Sequence, residues 1–146
     1  LANDSGLLKH AYELYFTSVA KRADNGSIEK FAGRMFQPQD IPTGYLDYVG
    51  SDLSRRRSTI KANKGDLLVA SQALKQNFAS YGRIEMPVEI IHGKEDILLP
   101  FKSQAVAFNE VIPNSRLHIL PNVGHMAHHF AFKELSNSIR YIRNFS

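Results

Sequence analysis

The chain has 146 residues, 43% of them apolar and 22% charged, and carries a formal charge of +4. This is ordinary globular composition with enough apolar material for one core, and it argues against a disordered segment. The absence of cysteine excludes disulfides, thiolate catalysis and cysteine-ligated zinc, and the positive charge is dispersed without the interleaved aromatic residues that a nucleic-acid groove needs.

No run approaches the ~20 apolar residues of a membrane span. The start, Leu1-Ala2-Asn3-Asp4-Ser5, lacks the basic and apolar regions of a signal peptide. Cytoplasmic location is therefore expected in preference to secretion, with no membrane partner. A first residue of Leu rather than Met suggests processing, or a piece of something longer.

Residues 7 to 22 place Leu7, Leu8, Ala11, Leu14, Tyr15 and Val19 on one helical face, closed by Asp24-Asn25-Gly26 as a turn. Ser27 is positioned to cap a short helix bearing Ile28, Phe31, Ala32 and Met35, and Gln37-Pro38 to Pro42 stops it. Thr43 is a candidate cap for another short helix with Leu46 and Val49 inward, ending at Gly50-Ser51. The basic run Arg55-Arg56-Arg57 with Lys61 and Lys64 reads as a solvated face, with an anion site or an ion-pair surface for another segment as alternatives. Leu67, Ala70, Leu74 and Phe78 then mark a helix ending near residues 80–82. Tyr12, Tyr15, Phe16, Phe31, Met35 and Phe36 are candidates to line an apolar pocket, although at helical spacing such residues are more often plain core.

Strands appear only after residue 82, which places a domain boundary there: a helical region over 1–82 and a second region over 83–146. Met86 to Ile91 reads as a short buried strand that exits at Gly93 and delivers Asp96 just past its end. Lys102 to Ile112 carries Ala105, Phe108, Val111 and Ile112 at helical spacing, stopped by Pro113-Asn114-Ser115. A second strand, Arg116 to Leu120, leads into Pro121-Asn122-Val123-Gly124-His125. Strand, helix, strand in this order implies a right-handed crossover and parallel strands, so both following loops open on one edge of the sheet. Asp96 and His125, 29 residues later, can then meet as an orienting acid and a general base. A final helix from about residue 130 is expected to turn Phe132, Leu135, Ile139 and Ile142 inward, with Arg140 and Arg143 near its C-terminus.

On these residues the chain resembles the α/β-hydrolase superfamily: a strand to Gly93, Asp96 shortly before Leu99-Pro100, and a later strand to Gly124-His125. The family order is nucleophile, acid, histidine, and the chain supplies the last two in that order. The resemblance covers residues 83–146. Residues 1–82 resemble, less specifically, the helical cap that many members insert before the acid-bearing strand. It implies a partial α/β-hydrolase fold and esterase-like hydrolysis of a small ester or acyl bond, with Asp96 and His125 catalytic and with no cofactor or metal.

The nucleophile is the missing part. No Gly-x-Ser-x-Gly occurs, and no serine follows a strand and opens a helix. Two parallel strands also make a poor sheet with an unpaired edge. The expected partners are therefore a small-molecule substrate and an N-terminal core segment supplying nucleophile and oxyanion hole, or a second copy paired through the strand edge; the chain alone is expected to be inactive. Dehalogenase or haloperoxidase chemistry on the same fold, and a non-catalytic association module, are the alternatives. His92 reads as a satisfied structural histidine or a site-lining one. His125, His128 and His129 have spacings of three and four, but His125 falls in a turn and lacks a nearby carboxylate in sequence, which weighs against zinc.

Overall fold

The structure is a computed structural model that describes residues 25–78 and 80–145. The first expected helix, residues 7 to 22, and the candidate pocket residues Tyr12, Tyr15 and Phe16 lie outside the described residues. The chain divides into two compact units, Leu1–Gly33 with Ile41–Asn77, and Arg34–Asp40 with Phe78–Ser146. The division read from the sequence lies at residues 82 and 83; by contacts, 78–82 and the short stretch 34–40 group with the strands.

The first unit is helical where it is described. Helix α1 (Asn25–Phe36) begins before Ser27, so that residue lies within its first turn instead of capping it. Helix α2 (Tyr45–Tyr48) is capped by Gly44, whose φ of 76° is left-handed, and Thr43 does not serve as the cap. Val49, expected inward, is exposed. A 3-10 turn (Ser51–Arg55) leads to α3 (Arg57–Phe78), which takes in Arg57, Lys61 and Lys64 of the basic segment. Among the described residues no helix is long and apolar enough to cross a membrane.

In the second unit a 3-10 turn (Tyr81–Arg83) precedes strand β1 (Val88–Gly93). Phe78, Tyr81 and Phe108 pack ring against ring at centroid distances of 5.2 to 6.5 Å, which anchors the chain as it enters the strand. A π-helical turn (Lys102–Val106) runs directly into α4 (Ala107–Val111), so the expected helix over 102–112 is present with a wider first turn. Ala105 and Ile112 are buried, as their spacing required. Strand β2 (Ser115–Leu120) pairs parallel to β1, in a register that runs from Val88 opposite Ser115 to Gly93 opposite Leu120. Because side chains alternate along a strand, Glu89, Ile91, Arg116 and His118 share one face, and Ile90, His92, Leu117 and Ile119 the other.

A 3-10 turn (Ala127–His129) and helix α5 (Phe132–Arg143) complete the unit. Here the helical-face reading needs correction. Ser138 is 6% exposed, whereas Phe132 is 79% and Ile139 67% exposed. Ser138 faces Glu89 of β1, an acidic residue whose side chain is 4% exposed. Its Oε2 accepts from Ser138 Oγ at 2.8 Å and lies 2.7 Å from His118 Nε2, and Oε1 faces Arg116 Nε at 3.3 Å. Burying an apolar side chain contributes about 1.5–3 kcal/mol. A buried carboxylate deprived of one donor loses a comparable amount, so the contact of Ser138 with Glu89 offsets part of what the exposure of Phe132 and Ile139 forgoes.

Candidate active site

The loops that follow β1 and β2 are bound to each other before any side chain of the site is considered. Lys94 N–H donates to the Leu120 carbonyl at 2.9 Å and Glu95 N–H to the Val123 carbonyl at 3.0 Å. Glu95 Oε2 in turn accepts from Val123 N–H at 3.1 Å. The adjacent carboxylates Glu95 and Asp96 thus divide the work: Glu95 holds the backbone of the second loop, and Asp96 faces its histidine.

Two glycines allow this approach, for reasons of space. A Cβ on Gly93 would collide with the carbonyl oxygens of Val123 and Gly124, and a Cβ on Gly124 with the carbonyl oxygen of Gln37. Gly124 has no left-handed φ. What the glycines permit is close stacking of three backbone segments: the end of β1, the loop after β2, and the exit of α1. The same exit donates through Gln39 Nε2 to the Asn122 carbonyl and accepts Met126 N–H on the Met35 carbonyl. Phe36, a candidate pocket residue in the sequence, is fully buried beneath His129 and Phe130, with ring centroids at 5.2 and 6.1 Å, and is core.

On this base Asp96 Oδ2 lies 2.9 Å from His125 Nδ1. Asp96 is 7% exposed. Its other oxygen, Oδ1, accepts the N–H groups of Leu98 at 2.8 Å and Leu99 at 2.9 Å, closing a local turn of the kind that Asp side chains favour. Burial pushes the Asp96 carboxyl up, but the hydrogen bonds from His125, from His92 and from the two amides outweigh it and hold the acid well below the usual carboxylate range. An ionised Asp96 accepts only, so His125 Nδ1 carries the hydrogen. That leaves Nε2 with its lone pair, and this nitrogen makes no hydrogen bond among the described residues.

The loop histidines after His125 are arranged differently. The rings of His128 and His129 meet at a tilt of 46°, with centroids 4.4 Å apart. Burial, with the neighbouring His129 and His125, lowers the proton affinity of His128. Among the described residues no group of three or more His, Cys, Asp or Glu is placed to hold a metal ion, and His125 Nδ1 is already turned to Asp96. Two cavities lie away from the pair. One of about 500 Å³ is lined by residues including Ile28, Pro42 and Tyr45, and one of about 310 Å³ by residues including Pro87, Arg116 and Tyr141.

No family model matches the chain and no curated protein matches it in sequence. Its backbone does match solved structures. The 2-hydroxy-6-oxo-6-phenylhexa-2,4-dienoate hydrolase of Rhodococcus sp. strain RHA1 superposes with a TM-score of 0.70 over 87% of this chain at 14% identity. The fold is that of part of an α/β-hydrolase. A membrane phospholipase A described as a bacterial virulence factor matches it over 83% of this chain, with a TM-score of 0.59 at 17% identity. The chain spans 47% and 38% of these two structures, so about half or less of the α/β-hydrolase fold is present. Both neighbours are hydrolytic enzymes.

Two residues, Glu95 and Glu89, were not assigned their roles in the sequence, and His92 was read there only as a structural or site-lining histidine. Glu95 was overshadowed by its neighbour Asp96. Glu89 interrupts an otherwise apolar strand, a signal that a buried carboxylate needs partners, but the partners come from β2 and α5 and depend on register. His92, four residues before Asp96, touches the same carboxylate oxygen.

Proposed function

We propose that the chain is the C-terminal part of a hydrolase acting on a small ester or similar acyl bond, with Asp96 as orienting acid and His125 as general base of a triad whose nucleophile lies outside this chain. The single observation that carries the reading is the 2.9 Å contact of a buried, ionised Asp96 with His125 Nδ1, which leaves Nε2 open. In such a site Nε2 takes the proton of a serine hydroxyl as its oxygen attacks the acyl carbon, then delivers that proton to the departing alcohol. Water repeats the exchange to release the acid, and Asp96 stays ionised throughout, stabilising the imidazolium. Residues 1–82 are read as a cap-like region of that hydrolase.

The unpaired edge of the sheet supports a partner. Among the described residues β1 pairs on one side only, and the strand aliphatics Val88, Ile90 and Ile91 are only half-buried. A further core segment seated there would complete the sheet, bring the nucleophile and supply oxyanion-hole donors, worth about 3–4 kcal/mol each. The same edge also favours a second reading, an association module that pairs with another chain by adding a strand.

The test is to express the chain together with an upstream segment of its reading frame and to assay short-chain ester hydrolysis. Asp96→Asn and His125→Ala should each cost orders of magnitude. Unchanged turnover in either variant removes that residue from the site. The nature of the nucleophile separates chemistries on the fold, since serine indicates acyl transfer and aspartate indicates dehalogenation. A tight dimer in light scattering, with no hydrolysis in the completed protein, favours the association module.

A further inference from the structure

The acid of the site is held by more than its histidine. Asp96 Oδ1 is filled by the N–H groups of Leu98 and Leu99, which leaves Oδ2 for His125. His92 Nε2 stands 3.3 Å from that same Oδ2. It is also 2.9 Å from the carbonyl oxygen of Leu99, an atom that only accepts, so this nitrogen carries a hydrogen. The N–H that meets the Leu99 carbonyl of the acid loop thus also stands beside the carboxylate that the loop presents. The ring is itself held at the end of β1, with its side chain 16% exposed.

The geometry points to His92 as a positioning residue for the acid: its Nε2–H fixes Oδ2 in line with His125 Nδ1 and takes a share of the carboxylate's charge, so that His92 sets how strongly Asp96 draws a proton onto His125. This rests on the triad reading above. The torsion of a carboxylate about its last bond is broad, and the two amides constrain Oδ1 more than Oδ2. A donor on Oδ2 stabilises the anion without His125, and so weakens the preference of the pair for a protonated imidazole. The direction is the same whether His92 is neutral or charged. Contact with Asp96 raises its proton affinity, which burial only partly opposes. Among the described residues, further ionisable groups near the pair are Glu95, whose Oε2 is taken by Val123 N–H, and His128 in the following turn.

The test follows the ring resonances of the histidines against pH in the 146-residue chain, in the parent and in His92→Leu and His92→Gln. In the parent, His92 should report hydrogen on Nε2. In His92→Leu the His125 ring should titrate about 0.5 pH unit or more above the parent, and His92→Gln, whose amide nitrogen reaches the same place, should return it to the parent value. A bare Nε2 on His92 in the unmodified chain overturns the proposal without any variant having to fold. Identical His125 titration in the parent and His92→Leu overturns it as well. In the completed enzyme the acid limb of kcat/KM should shift in the same direction, with KM unchanged. Loss of titration coupling while Asp96→Asn still abolishes turnover would sink this proposal alone. Coupling that persists in a protein indifferent to Asp96→Asn would sink only the triad.

Discussion

Asp96 and His125, 29 residues apart in the chain, stand 2.9 Å from each other at Oδ2 and Nδ1, with the carboxylate buried and the imidazole partly open. An amide in place of the carboxylate would keep the shape but could present N–H to Nδ1, forcing the hydrogen onto the wrong ring nitrogen. In the completed enzyme Asp96→Asn should therefore lower kcat by on the order of 10⁴. The imidazole spectrum of His125 in the variant should show the tautomer reversed, which checks the cause independently of the rate.

The same cluster makes stability depend on pH with opposite signs on its two sides. Asp96 is held below its ordinary value of 3.8, so its contribution is present above that value and lost as pH falls through the folded one. His92 is raised above 6.5, so its contribution is complete below 6.5 and lost as pH rises through the folded value. Denaturant midpoints should thus be highest between about pH 4 and 6.5 for this cluster. His92→Gln should flatten the alkaline side, and Asp96→Asn, which also takes away the partner of His92, should flatten both.

Gly93→Ala and Gly124→Ala should each destabilise the fold by about 3 kcal/mol, since the added methyl meets backbone oxygen that cannot swing aside. Gly65→Ala, in the middle of α3 with open space around the position, should instead stabilise by about 0.5–1 kcal/mol. Thermal melting of the three variants checks both signs in one experiment.

Ser138→Ala removes one of the donors on Glu89 Oε2 and leaves His118 and Arg116 to hold a buried carboxylate. A loss of about 1–3 kcal/mol is expected. Ile139→Ser, on the exposed face of the same helix, should change the stability of this chain by less than about 0.5 kcal/mol. Urea midpoints of the pair test which face of α5 is turned inward.

Much of the site was legible because its information is local. A short apolar run over 88–91, helical spacing over 105–112 and a second short run before Gly124 require no knowledge of distant residues, and the rule for parallel crossovers carries both loops to one edge. The helix faces were less legible where polar burial intervenes. Phe132, Leu135, Ile139 and Ile142 form a proper apolar stripe, yet α5 turns Ser138 inward, where its hydroxyl meets a carboxylate on another element.

What the amino-acid sequence by itself determined is the order of elements and the pair of titratable groups at the strand ends, because periodicity and turn chemistry act over a few residues. What only the tertiary structure decided is how that pair is supported: Glu95 on the backbone of the opposite loop, His92 on the shared oxygen, Gln37 against Gly124, and Glu89 meeting Ser138 of α5. Each of these joins residues whose contact depends on strand register and close backbone approach. Such long-range fits arise when whole segments pack, and no local pattern encodes them.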